Sequence, residues 1–114
     1  MNRRLAALAF VFAAASIGSS AFAADDVKAE RGDAVFQKWC APCHAAGPGH
    51  PGTTAIAALY KGAKPAALED RTDLTPAIVA QFVRKGVSVM PFFRKTEISD
   101  ADLDALGAYL SRKR

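Results

Sequence analysis

The sequence contains few of the residues that bind metals or cross-link a chain, and it has almost no β-strand pattern. Its 114 residues include two cysteines, two histidines and two methionines. Small domains often need a disulfide, a metal or another cross-link to stabilise their small core. Two cysteines allow only one such cross-link. The segment VSV at residues 87–89 is too short to count as a strand. No internal repeat and no second domain is present.

The positive charge is also small. The chain carries 15 basic and 11 acidic residues, a formal charge of +4. If Arg3 and Arg4 are removed with a leader segment, 13 basic residues remain and the charge falls to +2. This excess is too small and too scattered to indicate nucleic-acid binding.

The first 23 residues have the pattern of a cleavable export signal. Two arginines precede an apolar run at residues 5–15, and the segment closes on the small-x-small sequence Ala-Phe-Ala. Serine and glycine residues interrupt the run, which leaves it short of the roughly 20 residues of a membrane span. We predict a signal peptide over residues 1–23, cleaved after Ala23, one domain over residues 24–114, and no stable membrane insertion of the cleaved chain.

The rest of the sequence indicates an all-α fold. We expect a first helix from about Ala29 into the cysteine motif, a short helix ended by Gly62, and two capped helices further on. Thr75 with Pro76 begins the first capped helix, which ends at Gly86. Ser99 begins the last helix, with an acidic residue three positions later. The first capped helix has an apolar stripe formed by Ile78, Val79, Phe82 and Val83. In the last helix, Leu103, Leu106, Tyr109 and Leu110 are expected to face inward.

Both cysteines lie in the motif CAPCH at residues 40–44. A thioredoxin-like disulfide would need a βαβ context, and a structural disulfide across so short a loop would constrain little of the unfolded chain. A zinc site formed by Cys40, Cys43, His44 and His50 lacks the usual histidine spacing. C-x-x-C-H is instead the attachment signature of c-type haem.

Haem chemistry accounts for this spacing. Residues three apart lie on one face of a helical turn, so Cys40 and Cys43 can each form a thioether to one vinyl group. His44 follows directly and can bind the iron as its proximal ligand. Export brings the chain to the periplasm, where haem is attached. We therefore predict a periplasmic protein with one covalent haem c.

Met90 is the expected sixth ligand. It is the only methionine outside the signal peptide, lies in the proline-terminated loop VSVMPFF, and follows His44 after 45 residues. The structural alternative is a methionine that fills a gap in the core. The alternative ligands are His50, Lys85 and Lys95. Ligation by histidine and methionine raises the reduction potential and leaves no open position on the iron, which favours electron transfer over oxygen or peroxide chemistry.

With these motifs the chain resembles class I cytochrome c: a first helix with Gly32 and Phe36, CAPCH, a distal Met-Pro, and a last helix with LGAYL. The resemblance implies three to four helices wrapped around one haem, with Gly32, Phe36 and Tyr109 where the first and last helices cross. It also implies a proline carbonyl that accepts a hydrogen bond from the proximal histidine. Pro51 is our first choice for this role and Pro48 the second.

The segment VRKGVSVMPFF is similar to small cytochromes paired with flavoprotein dehydrogenases that oxidise 4-alkylphenols, such as the cytochrome subunit of p-cresol methylhydroxylase. Two functions follow. The first is a periplasmic carrier that accepts electrons from a dehydrogenase and passes them to the respiratory chain. The second is a tightly bound cytochrome subunit of an FAD-dependent dehydrogenase. Neither makes this chain an enzyme by itself. A third function, a haem-based ligand sensor, would require that Met90 be dispensable.

Overall fold

The computed structural model describes residues 20–112, with side chains from residue 23 onward. This part of the chain contains five α-helices and no β-strand, which confirms the all-α class. There is one helix more than the three to four expected, because CAPCH forms a one-turn helix of its own. The helices are α1 (Ser20–Trp39), α2 (Ala41–His44), α3 (Pro51–Tyr60), α4 (Pro76–Lys85) and α5 (Asp100–Ser111), with a 3₁₀ turn at Leu68–Asp70.

The predicted signal peptide lies mostly outside the described residues. Residues 20–23 form the beginning of α1, and the signal peptide, its cleavage after Ala23 and the domain boundary there stay predictions. Among the helices between residues 20 and 112, none combines the length and the apolar character that a membrane crossing requires.

The starts of α4 and α5 are capped as the sequence predicts. The hydroxyl of Thr75 accepts a hydrogen bond from the backbone N–H of Ile78 at 3.2 Å, and Pro76 occupies the first turn. The hydroxyl of Ser99 accepts one from the N–H of Asp102 at 3.1 Å. Each cap satisfies an N–H group that has no partner within its helix.

The first and last helices cross at a glycine. A Cβ atom on Gly32 would lie 2.5 Å from the Cβ of Tyr109 and would also overlap the backbone of Ala105. The ring centroids of Phe36 and Tyr109 are 5.8 Å apart. Because Gly32 has no side chain, α1 and α5 approach closely enough to bury both rings. This confirms the crossing that the resemblance implied.

Beneath this crossing lies the hydrophobic core, which α4 completes. Val79 and Val83 of α4 are buried against α5, whereas Ile78 and Phe82 of the same expected stripe are 39% and 42% exposed. Half of the apolar stripe of α4 thus packs against α5, and the other half lies at the surface. The other buried members of the core are Val35, Phe36, Cys40, Ile98, Leu103, Leu106, Tyr109 and Leu110.

In contrast to α1, α4 and α5, helix α3 has no buried residue. It begins at Pro51, packs beside α2, and ends at Tyr60. Lys61, which follows, adopts a left-handed conformation (φ 48°) ahead of Gly62. Its sequence has no charged residue. Helix α3 is thus an uncharged surface element next to the CAPCH turn.

Candidate functional site

The CAPCH motif follows directly from α1. The N–H of Cys40 donates to the carbonyl of Phe36 at 2.8 Å, and the N–H of His44 donates to the carbonyl of Cys40 at the same distance. The N–H of Cys43 also bonds to the Cys40 carbonyl, at 3.1 Å. The motif is therefore one helical turn, as the spacing requires. Because both thiols are free, they are available for thioether bonds and are not joined as a disulfide.

The two cysteines have different surroundings. Cys40 is buried in the core, and Cys43 is exposed. Burial raises the pKa of the Cys40 thiol to about 12, with a smaller contribution from the nearby Cys43. Since the thiolate is the reactive form, burial lowers the reactivity of the Cys40 thiol in the folded chain.

His44 is enclosed on one edge of its ring. Burial lowers the pKa of its imidazole, which favours the neutral form that binds metals. Its Nδ1 atom is buried and has no hydrogen-bond partner in the described part of the chain. A Cβ on Gly52 would lie 2.7 Å from this Nδ1 atom. The closed Nδ1 edge leaves Nε2 as the nitrogen that can reach an iron ion.

The hydrogen bond expected from His44 to Pro51 is not formed in this structure. Pro51 is the first residue of α3. The role of Pro51 towards the proximal histidine stays a prediction. Pro48, the second choice, precedes α3 in the connecting loop, and the Nδ1 atom bonds to neither proline.

Met90 lies in a tight turn after α4. The N–H and carbonyl of Val87 exchange hydrogen bonds with those of Met90 at 3.1 and 2.9 Å. Ser88, the first residue of the tip, has a positive φ of 53°, where such two-residue turns usually place glycine. Gly86 has a φ of 66°, and a Cβ there would lie 2.6 Å from the Met90 carbonyl. We call residues 86–93 the methionine loop.

The methionine loop is fastened to α4 and α5. The N–H of Phe93 donates to the carbonyl of Val83 at 2.7 Å. The guanidinium of Arg84 donates to the Phe93 carbonyl at 3.1 Å and to Asp100 at 3.0 Å. The Phe93 ring also packs edge-on against Trp39 of α1, with centroids 5.7 Å apart. The loop is therefore held at its base, while its tip is solvent-exposed.

A cleft lies between the end of α3, the connector that follows it, and α4. Arg71, whose side chain is only 9% exposed, donates two hydrogen bonds to Asp73 at 2.6 and 2.8 Å. Lys64 donates to the same carboxylate at 2.6 Å, and these two cations hold the pKa of Asp73 well below its usual range. Both cations also lie about 5 Å from the ring centre of Tyr60. The apolar wall opposite is formed by Leu74, Ile78 and Phe82.

The structure places the alternative ligands as follows. The Nδ1 atom of His50 lies 3.1 Å from the carbonyl oxygen of Pro42, Lys95 is ion-paired with Asp100, and Lys85 is exposed. No group of three or more His, Cys, Asp and Glu side chains suited to a metal ion occurs among the described residues. The four residues of the zinc alternative therefore do not form such a group.

Several residues of the site were missed from the sequence. Gly52 packs on His44, Thr53 bonds to the turn that follows it, and Arg84 fastens the methionine loop. The segment HPGTT contained a usable signal for the start of α3, because proline is common in the first turn of a helix. The sequence contained no such signal for the role of Arg84, because its partners are a backbone carbonyl and a residue from another helix.

One family of known proteins matches this chain over most of its length. Residues 27–110 match the model of the family described as "Cytochrome C oxidase, cbb3-type, subunit III", which is a cytochrome c domain. No curated protein matches the chain. No solved structure matches it either.

Proposed function

The chain belongs to this cytochrome c family, and on that basis we propose that it is a periplasmic electron carrier whose haem iron is bound by His44 and Met90. Membership implies a covalently bound haem c and haem-based electron transfer. Its electrons pass to or from another redox protein. Beyond family membership, we propose the identity of the two iron ligands, the positions of the two thioethers and the nature of the electron donor.

The observation that carries the proposal is the position of His44. Its ring follows the two free thiols in one helical turn, and its Nδ1 edge is closed by Gly52. A proximal ligand needs a neutral imidazole with one nitrogen free and a fixed ring plane. The lowered pKa and the packing of the His44 ring support this role.

Met90 is proposed as the second axial ligand. Its side chain is half-buried, and the reciprocal hydrogen bonds to Val87 fix its backbone. The base of the loop is bound to α4 through Arg84 and Phe93. A thioether ligand that is held at a fixed position costs little entropy when it binds, and it favours the reduced iron relative to nitrogen donors.

The cleft beside α4 suits the remainder of an amphipathic porphyrin. Ile78 and Phe82, which are exposed although apolar, offer contact for a ring. Arg71 and Lys64 offer positive charge for carboxylates, and charge-assisted hydrogen bonds of this kind are strong. We propose that these residues receive the apolar and the acidic parts of the haem.

When bound, haem supplies a one-electron couple at its iron. Cys40, Cys43 and His44 of the CAPCH turn and Met90 of the methionine loop would hold that couple between two separate segments. Trp39 and Phe93, which pack together at the base of the methionine loop, would help to keep that loop in place. Both effects would keep the rearrangement that accompanies each electron small. With His44 and Met90 as ligands the iron would have no open position for a substrate, so the chain would transfer electrons only.

We propose the methionine loop as the surface that meets the redox partner. Val89 and Phe92 are 95% and 60% exposed, and Lys85, Arg94 and Lys95 are exposed basic residues beside them. An apolar contact with a basic rim suits a small, transient interface with an acidic partner. The similarity to cytochromes of 4-alkylphenol dehydrogenases supports an alternative proposal, in which the partner is a flavoprotein dehydrogenase.

The test is a visible spectrum of the exported protein, oxidised and reduced, with mass spectrometry of the intact chain. We expect the spectrum of a low-spin six-coordinate haem c and one covalent haem on a chain that begins at residue 24. If acid–acetone extraction removed the pigment, the thioethers at Cys40 and Cys43 would be excluded. Co-purification with a flavoprotein would favour the flavocytochrome form, and purification alone would favour the free carrier.

A further inference from the structure

The N-terminal turn of α3, residues 50–53, is joined to the CAPCH turn by polar contacts that the proposed function does not use. The hydroxyl of Thr53 donates a hydrogen bond to the carbonyl of Ala45 at 2.8 Å, and this bond is partly buried. Ala45 directly follows His44 and ends α2. Carbonyls at a helix end have no partner within the helix, and Thr53 supplies one from the neighbouring helix.

A second contact holds the start of α2. The Nδ1 atom of His50 lies 3.1 Å from the carbonyl oxygen of Pro42. A carbonyl can only accept, so this nitrogen carries the proton and donates. His50 and Thr53 are three residues apart, and they bind α2 on either side of His44. The short helix is therefore held at both ends from one turn of α3.

Gly52 lies between these two residues. A Cβ on it would lie 2.5 Å from Cε1 of His44 and 2.7 Å from the carbonyl oxygen of Cys43. The backbone of Gly52 thus rests on the edge of the imidazole, and the ring cannot turn in that direction without displacing α3. The hydrogen bonds of His50 and Thr53 and the packing of Gly52 therefore join the start of α3 to the CAPCH turn.

We propose that His50 and Thr53 are positioning residues that fix the ring plane of His44. They act through the Pro42 and Ala45 carbonyls, which keep Gly52 pressed on the imidazole. The inference rests on the proposed function, since it treats His44 as the proximal ligand. Partners outside the ligand set commonly fix the orientation of a metal-bound histidine; here they do so through the backbone and the packing of a glycine.

The test is Thr53→Val in the haem-loaded protein, a change that keeps the side-chain shape and removes the hydroxyl. The orientation of an axial imidazole sets the distribution of unpaired spin in ferric haem, and NMR of the haem methyl groups reports it. We expect the methyl resonances to shift in Thr53→Val and to return to their wild-type positions in Thr53→Ser. Thr96→Val, at an exposed threonine before α5, is the matched control and should leave them in place.

A second pair of variants tests the mechanism independently. His50→Ala should shift the same resonances, and Gly52→Ala should shift them further because its methyl group overlaps the ring itself. If Thr53→Val does not retain haem, these two variants decide the result. Wild-type resonances in both Thr53→Val and His50→Ala would overturn the proposal. Failure of the proposed function is distinguishable, because it appears in the wild-type protein as pigment lost on extraction.

Discussion

Gly32 lies against Tyr109 so closely that an added Cβ would be 2.5 Å from the Cβ of the tyrosine. Gly32→Ala should therefore force α1 and α5 apart and lower the free energy of unfolding by about 1–3 kcal/mol, the usual cost of overpacking. Chemical denaturation of the haem-loaded protein measures it.

Gly107→Ala is the matched control for this change. Its Cβ would lie 3.0 Å from the side chain of Pro76, a tight contact that a small shift of α4 relieves. Alanine is also favoured over glycine inside a helix by about 0.5–1 kcal/mol. We expect the two effects nearly to cancel. If Gly107→Ala lowered the free energy of unfolding as much as Gly32→Ala, the close contact at the α1–α5 crossing would not explain the loss.

Met90→Ala tests the axial sulfur. The haem should stay attached, because the thioethers do not depend on Met90, and the reduction potential should fall, because a thioether favours the ferrous state. The ferric protein should also begin to bind cyanide or imidazole quickly. Potentiometry and stopped-flow absorbance measure these effects. An unchanged potential would remove Met90 as ligand and return attention to His50, Lys85 and Lys95.

Arg84→Gln should loosen the methionine loop. The guanidinium bonds both to the Phe93 carbonyl and to Asp100. The partly buried bond to the carbonyl contributes about 1.5–3 kcal/mol, whereas the exposed pair with Asp100 contributes little. We expect the far-red sulfur-to-iron absorption band to disappear at a lower temperature than in wild type. Lys85→Gln removes the same charge from the next position and should leave the band unchanged. If the band disappeared at the same lowered temperature in both variants, the effect would come from the loss of positive charge and not from the hydrogen bonds of Arg84.

Charge reversal at the methionine loop should slow association with the redox partner. Arg94→Glu and Lys95→Glu should each reduce the rate by about tenfold at low salt, since electrostatic steering acts mainly on association. Both residues are already paired with acidic neighbours, Glu97 and Asp100, so reversal also places like charges together. The visible spectrum should not change. Lys61→Glu, at the end of α3, is the control, and an equal loss of rate there would move the interface elsewhere.

Stability should depend on pH through Asp102. Hydrogen bonds from Ser99, and secondly from Arg31, lower the pKa of this carboxyl from its ordinary value of 3.8. A lowered folded-state pKa contributes stability that is complete above the ordinary pKa and is lost as the pH falls towards the folded one. Asp102→Asn should therefore flatten the fall in unfolding free energy below pH 3.8. If the free energy of unfolding of Asp102→Asn fell in parallel with that of the wild type as the pH decreased, Asp102 would be excluded as a source of the pH dependence.

The sequence predicted the parts of the fold that depend on neighbouring residues. The starts of α4 and α5 follow from a hydroxyl and the N–H groups of the next turn, and the CAPCH turn follows from its own spacing. Helix α1 begins at Ser20, not near Ala29. Residues 23–27 are exposed and show no apolar period from which an earlier start could be predicted. Helical periodicity identified the apolar stripe of α4, but it does not identify what covers Ile78 and Phe82, which line a cleft.

The parts of the site that the sequence did not reveal depend on contacts between distant segments. Gly52 could be recognised only once α3 was placed beside His44. The Pro51 prediction came from resemblance, and the hydrogen bond that it requires is not formed in this structure. Arg84 joins three segments that no local pattern connects.

The crossing of α1 and α5 also has a consequence in time. The chain is synthesised from its N-terminus, so CAPCH is present before α5. Cys40 cannot be enclosed until α5 packs against the rest of the core. Once enclosed, its thiol has a pKa of about 12 and is nearly unreactive at neutral pH. While α5 is undocked, both thiols would be accessible, and the proposed thioethers would form in that interval, before the last helix docks.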